Sequence, residues 1–369
     1  LKTLIDTSPL FVPFSHAKLS LKNRVLMAPM TRHFSPDGVP GRNVVDYYRR
    51  RAEGEVALII TEGTTINHEG ASLDTAVPNF HTDKALDGWQ QVVNAVHDVG
   101  GKIAPQLWHV GSIRKPGDGP YPDYPSASPS GLLKPGKKVL EPLTVAGIDR
   151  IIAAYAEAAG NAKRLGFDAL EVHGAHGYLI DTFLWEGTNQ RTDVYGGSRT
   201  ARSRFAADIV AAIRAEFGEA FPVIFRFSQW KQQDFTARLA SSPDELAEVL
   251  APISDAGVDI FHCSTRRFWG PEFEGSSLNL AGWTRQLTGK PTISVGSVGL
   301  DEEFVTTYRG GQAGSADIGE LLQRMAANEF DLIAVGRALL ANPDWLQKIS
   351  AGDQQSLNAF SKDQLATLY

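Results

Sequence analysis

Alternation constrains this chain more than any other feature. Short apolar runs rich in β-branched residues recur eight times, and most are followed by an amphipathic stretch with helical spacing. The runs are RVLMAPM (24–30), VALIITEG (56–63), KIAPQLWH (102–109), ALEVHGAH (169–176), VIFRFS (223–228), IFHCST (260–265), PTISVGS (291–297) and LIAVGR (332–337). Helical patterns such as DGWQQVVNAVHDVG, IDRIIAAYAEAAGNAKRLG, RFAADIVAAIRAEFG and DELAEVLAPISDAG lie between them, with glycine near their ends. Eight strand-then-helix units predict an α/β fold, a (β/α)8 TIM barrel, over an open doubly wound sheet, which commonly has fewer strands. Residues 1–369 are expected to form a single domain. About 35 residues after the third strand, 110–144, are rich in Pro, Gly and Ser and are expected to be a loop insertion over the active-site face, since loops of that length are usually functional.

Composition narrows the class of partner. The net charge of −6 and pI near 5.9 leave no broad basic face for nucleic acid. No apolar run approaches the roughly 18–20 residues of a membrane span, and the N-terminal LKTLIDTSPLF lacks a secretory pattern. A cytoplasmic location is expected, and oligomeric state is left undecided. The single cysteine, Cys263, can neither form an internal disulfide nor hold an iron–sulfur cluster.

In a barrel the active groups lie at the C-terminal ends of the strands. That filter retains Thr31 after strand one, Gln106 and His109 on strand three, His173 and His176 on strand four, Arg226 in strand five, and the glycines closing strands seven and eight. The endings SVGSVG and VGRALL stand where this fold commonly binds phosphate, so Gly296, Ser297, Gly336 and Arg337 are candidates for an anion site. Arg226, between Phe225 and Phe227, needs an acceptor inside the barrel: a structural partner, or an electron-rich ring with carbonyl oxygens. Gln106 can donate and accept at once, which suits an imide-like edge. His173, His176 and Tyr178 allow several readings. Metal ligation needs a third ligand that the spacing does not offer, and His-x-x-His on a strand faces opposite ways unless the strand has ended. A nucleophilic triad lacks its Gly-x-Ser-x-Gly elbow. Two satisfied core histidines are possible; the remaining reading is a pair of imidazole donors holding a substrate oxygen beside a proton-delivering phenol.

The motifs NRVLMAPMTR, TEGT, PQLWHVG, EVHGAHGYLIDTFL, NQRTDVYGGS, FRFS, SVGS and AVGRALLANPDW, in this order, resemble the old yellow enzyme family of FMN-dependent ene-reductases. The likeness runs over almost the whole chain. It implies a non-covalent FMN at the top of the barrel, reduced by NADPH or NADH and reoxidised by enones, enals or nitroalkenes, with phenolic ligands as inhibitors. By the resemblance, Pro29, Met30 and Thr31 line the flavin, with the Thr31 hydroxyl near O4 and N5; Gly63 passes close to the ring. Gln106 bonds the pyrimidine edge, and Arg226 sits at N1 and O2. Gly296, Ser297, Gly336 and Arg337 hold the phosphate. His173 and His176 hold the activating oxygen of the substrate, N5 gives hydride to the β-carbon, and Tyr178 protonates the α-carbon. Trp108, Phe268 and Trp269 are candidates for shaping the substrate pocket, while NQRTDVYGGS is expected to be structural through an Arg191–Asp193 pair and turns at Gly196 and Gly197. Larger relatives carry an iron–sulfur cluster and a second flavin domain; with one cysteine in 369 residues, neither is expected here. The segments QWKQQDFTARLASSPDEL and RRFWGPEFEGSSLNL depart from the best-known short members, so their roles, and the physiological substrate, are left open.

Overall fold

The structure, a computed structural model, describes residues 5–302, 307, 309–310, 312–314 and 316–369. Eight parallel strands close into a barrel in chain order. They are β1 (Val25–Met27), β2 (Leu58–Thr65), β3 (Ile103–Trp108), β4 (Leu170–His173), β5 (Val223–Ser228), β6 (Ile260–Ser264), β7 (Thr292–Val295) and β8 (Leu332–Val335). The helices that return the chain are α1 (Arg42–Glu53), α2 (Asp83–Asp98), α3 (Val145–Leu165), α4 (Arg204–Phe217), α5 (Pro243–Asp255), α6 (Leu280–Thr288) and α7 (Gly319–Ala326), with α8 (Arg337–Ala341) and α9 (Trp345–Ser350) after the last strand. The expected (β/α)8 barrel is therefore present. Among the described residues no helix is long and apolar enough to cross a membrane.

Helix ends follow local chemistry. Thr144 caps α3 by accepting the Gly147 amide, and Gly166 ends it in a left-handed conformation (φ +83°) that costs a glycine little. Ser242 caps α5 in the same way, with Pro243 in its first turn.

Strand parity sorts the barrel's two apolar regions. Leu26, Leu58, Ile60, Ala104, Ile224, Ile260, Ile293 and Leu332 point inward and pack with Phe14, Leu19 and Leu21 of the N-terminal hairpin (Phe14–His16 with Leu19–Leu21). The alternate residues, among them Ile59, Val172, Phe225, Phe261 and Ile333, face the helices in the larger core. The hairpin joins the lower interior, so the barrel's open end is the one to which the strands' C-termini lead. One irregularity matters there. Between Ile60 and Gly63, β2 advances three residues while β3 advances two, from Ala104 to Gln106. This bulge reverses the parity: Gly63 comes level with Gln106, and Glu62 is sent outward to the Tyr48 hydroxyl on α1 (3.0 Å).

Candidate functional site

Continuing the inward parity toward the strands' C-termini replaces apolar side chains by polar ones. Gln106 donates its amide to Glu171 Oε2 (2.8 Å), and Glu171 Oε1 meets His262 Nδ1 at 2.5 Å. Both members of the Glu171–His262 pair are wholly buried. Arg226 lies in register with His173 on one side and His262 on the other. Its Nη2 donates to Ser264 Oγ (3.2 Å), while its buried Nε finds no acceptor. Burial lowers the Arg226 pKa, partly offset by Glu171, yet a guanidinium stays charged at any working pH. A buried cation with a free N–H is costly unless a ligand supplies the acceptor.

β4 ends at His173, so the second histidine is not on the strand. Gly174 and Gly177 flank a turn in which His176 takes φ +66°, and this brings both imidazoles to the same side. The ring centroids of His173 and His176 are 5.0 Å apart, those of His173 and Tyr178 also 5.0 Å. Burial first, then the charge of Arg226, holds both histidines well below the usual imidazole pKa, so both are neutral near pH 7. His173 Nδ1 accepts the Ala175 amide (3.3 Å), which puts its proton on Nε2. Burial raises the Tyr178 pKa, so its phenol keeps its proton. Among the described residues no group of three His, Cys, Asp or Glu side chains is placed to hold a metal ion.

Of these groups Arg226, Ser264, His176 and Tyr178 open onto a cavity of about 600 Å³. Ala28, Met30, Val295 and Ala334 give it apolar walls, and Pro29, Thr31, His176, Tyr178 and Arg226 also line it. Gly296, Ser297, Gly336 and Arg337, from the turns after β7 and β8, line it as well. Gly296 has φ +141°, and a Cβ there would lie 2.5 Å from the Thr265 carbonyl oxygen, which explains glycine at this position. Arg337 donates to Ser297 Oγ (3.2 Å), Thr307 Oγ1 (2.8 Å) and the Glu302 carbonyl (2.8 Å), bonds that fix its guanidinium beside these turns.

Four predicted residues stand behind this lining. His173, Gln106 and Trp108 do not border the cavity, and neither does Gly63. A Cβ on Gly63 would lie 2.4 Å from Trp108 Cε3, so its missing side chain makes room for the indole. Trp108 in turn stacks on His173 (6.0 Å) and meets Tyr178 edge-on (4.9 Å). Phe268 and Trp269, expected near the substrate, pack instead in and against the core outside the barrel. Residues 110–144 form a buttressed loop with a small hairpin (Leu132–Lys134 with Lys137–Lys138) and do not line the cavity. Arg191 pairs with Asp193 (2.6 Å) and donates to the Pro129 and Leu143 carbonyls, so NQRTDVYGGS ties down that insertion.

Several residues were not foreseen. Trp230 stacks on His176 (4.6 Å, 24°) and lines the cavity with Phe235 and Ser264. Lys231, wholly buried, pairs with equally buried Asp181 (2.7 Å), whose other oxygen accepts the Gly177 amide (2.8 Å). Gln232 donates to the His176 carbonyl (2.9 Å) and Gln233 to that of Gly177 (2.9 Å). The departing segment after β5 thus splints the histidine turn. For Trp230 and Lys231 the only local signal was an aromatic and a cation immediately following a barrel strand.

The residues present fit FMN: a partnerless guanidinium N–H at one wall, an apolar bed, and a guanidinium of charge complementary to a phosphate beside the glycine turns after β7 and β8. Comparison with known proteins agrees. Residues 9–356 match the model of the NADH:flavin oxidoreductase / NADH oxidase family. An NADH oxidase of Thermoanaerobacter brockii is 32% identical over 92% of this chain, which spans about half (50%) of that relative's length. The 12-oxophytodienoate reductase 7 of Oryza sativa subsp. japonica is 30% identical over 92% of this chain and 87% of its own. The structure of morphinone reductase in complex with tetrahydroNAD superposes with a TM-score of 0.81 at 32% identity, covering 96% of this chain and 93% of that one.

Proposed function

Since the chain belongs to the NADH:flavin oxidoreductase / NADH oxidase family, that of the old yellow enzymes, it is an NAD(P)H-dependent FMN enzyme of the ene-reductase type, and we propose that it reduces C=C bonds activated by a carbonyl or nitro group. The observation carrying this reading is the convergence of His176 and Tyr178, with His173 directly behind them, at the Arg226 wall of a cavity whose lining also includes the Arg337 guanidinium. FMN held here would supply two-electron hydride chemistry between NADPH or NADH and the activated alkene. Pro29, Met30, Thr31, Gln106 and Arg226 are assigned to its ring system, and Gly296, Ser297, Gly336 and Arg337 to its phosphate. Arg226 stabilises negative charge developing beside it without reorganising, because burial and strand register already fix it.

The neutral His173 and His176 act as donors to the carbonyl or nitro oxygen. Each strengthens its bond as that oxygen becomes enolate-like, and an oxyanion donor of this kind is worth about 3–4 kcal/mol of barrier. Tyr178 holds the proton for the α-carbon, and its raised pKa keeps the phenol loaded at neutral pH. The insertion 110–144 is assigned to shelter this face, supported by the Leu133 carbonyl accepting Gln233 beside the histidine turn (3.3 Å). In titrations of the yellow holoenzyme with a para-substituted phenol, His173→Ala should raise Kd at least about tenfold with flavin content unchanged. Tyr178→Phe should slow anaerobic reoxidation of the reduced enzyme by cyclohexenone and spare its reduction by NADPH or NADH. Equal loss of FMN and phenol in His173→Ala would show that the histidine supports the flavin site and not the substrate oxygen.

A further inference from the structure

His176 carries an ambiguity that His173 does not. A neutral imidazole has one N–H donor and one acceptor, and it can serve a substrate oxygen only if the proton sits on the nitrogen facing that oxygen. For His173 the Ala175 amide settles the matter. For His176 the sole hydrogen-bond partner of the ring among the described residues is Ser264, whose Oγ lies 2.7 Å from Nε2.

Ser264 ends β6, is 2% exposed, and stands in register with Ser228 at the end of β5. Its oxygen already accepts Arg226 Nη2. A guanidinium only donates, so the direction of this bond is fixed. Donation from a cation polarises the serine hydroxyl and makes its own proton the better donor. The neighbouring acceptor in reach is His176 Nε2, and accepting there leaves the imidazole proton on Nδ1. The ring cannot evade the arrangement by turning: its face is stacked on Trp230, its amide donates to Ser228 Oγ (2.9 Å) and its carbonyl accepts Gln232. We propose that Ser264 is a positioning residue, which sets the His176 tautomer through the chain Arg226 to Ser264 to His176 and thereby makes Nδ1–H the donor to the substrate oxygen. His173 then works through Nε2–H and His176 through Nδ1–H. An asparagine amide in place of His176 would carry its donor whatever its neighbours did; the imidazole needs the serine.

The inference rests on the proposed role of His176 in holding the substrate oxygen, and the test separates the two. In the FMN-loaded protein labelled with 15N-histidine, the tautomer is read from the nitrogen shifts, and para-hydroxybenzaldehyde affinity is read from flavin absorbance. Wild type should show a protonated Nδ1 and bare Nε2 at His176. Ser264→Ala should lose that pattern and bind the phenol about tenfold more weakly at unchanged flavin content, while Ser264→Thr, which keeps the hydroxyl, restores both. In a His176→Asn background Ser264→Ala should add little, because no tautomer remains to be set. A protonated Nε2 in wild type, or an unchanged His176 pattern in Ser264→Ala, overturns the proposal. Should His176→Ala itself leave phenol affinity intact, the oxygen-holding role of His176 fails first, whatever the tautomer.

Discussion

Replacing Lys231 by methionine leaves the Asp181 carboxylate buried, with the Gly177 amide as its remaining partner. Burial raises the Asp181 pKa and lowers that of Lys231, and in each case the partner offsets only part of the effect. The pair is therefore one whose attraction works against a large desolvation cost, and removing a single partner should be worse than removing both. Losing one charge of a buried pair costs about 3–5 kcal/mol. The double variant Lys231→Met/Asp181→Leu leaves no buried charge; it orphans the Gly177 amide and removes the donor to the Ser228 carbonyl, together worth about 1–3 kcal/mol. Urea unfolding of the FMN-saturated protein, followed by tryptophan fluorescence, reads both. With a slope of about 3 kcal/mol per M, Lys231→Met should lower the midpoint by about 1–2 M and the double variant by clearly less. Free FMN must be held constant, since it stabilises only the folded form. Because the pair fastens the segment after β5 to the helix Leu179–Leu184 that follows Tyr178, phenol binding should weaken in Lys231→Met before flavin is released. The reasoning is refuted if Lys231→Met unfolds within about 1 kcal/mol of the parent, or if the double variant is no more stable than the single one.

Glu62 gives a pH-dependent test with the opposite sign from most carboxylates. Burial lifts it from 4.5 to about 7, opposed by the Tyr48 hydroxyl and by Arg32. A folded value above the unfolded one means that its stabilisation is complete below pH 4.5 and is lost as pH rises through about 7, a span worth about 3 kcal/mol at roughly 1.4 kcal/mol per pH unit. Glu62→Gln should accordingly match the parent near pH 4.5 and exceed its stability by about 2–3 kcal/mol at pH 8, and urea midpoints at the two values check it. Gly63→Ala should press its new methyl into the Trp108 indole, costing about 1–3 kcal/mol and weakening phenol binding through His173 and Tyr178, with Trp108→Phe recovering part of the loss in the double variant.

What could be read in advance was whatever announces itself within one strand and its turn. VIFRFS was bounded to the residue, because an apolar run with one arginine has a single economical reading, and the glycine turns after β7 and β8 do line the cavity. ALEVHGAH was carried three residues past the strand's C-terminal end, since nothing local reveals that His176 takes a left-handed backbone. The Lys231–Asp181 pair joins positions 50 apart, and the bulge at Ile60–Gly63 depends on how β2 meets β3; neither has a periodic trace. The polar layer is a different case. Once Ala104, Ala169, Ile224 and Ile260 are taken as inward residues, counting on by two reaches Gln106 and Trp108, Glu171 and His173, Arg226 and Ser228, and His262 and Ser264. Every one of these is polar or carries a polar edge, and each sits nearer the C-terminal end of its strand than the apolar residue that opens the count. Parity, carried through strand by strand, would thus have assembled the Gln106–Glu171–His262 chain and set Ser264 beside Arg226. Filtering for unusual residues one at a time found Arg226 and Gln106 and passed over the buried partners that hold Gln106 in place and connect Arg226 to His176.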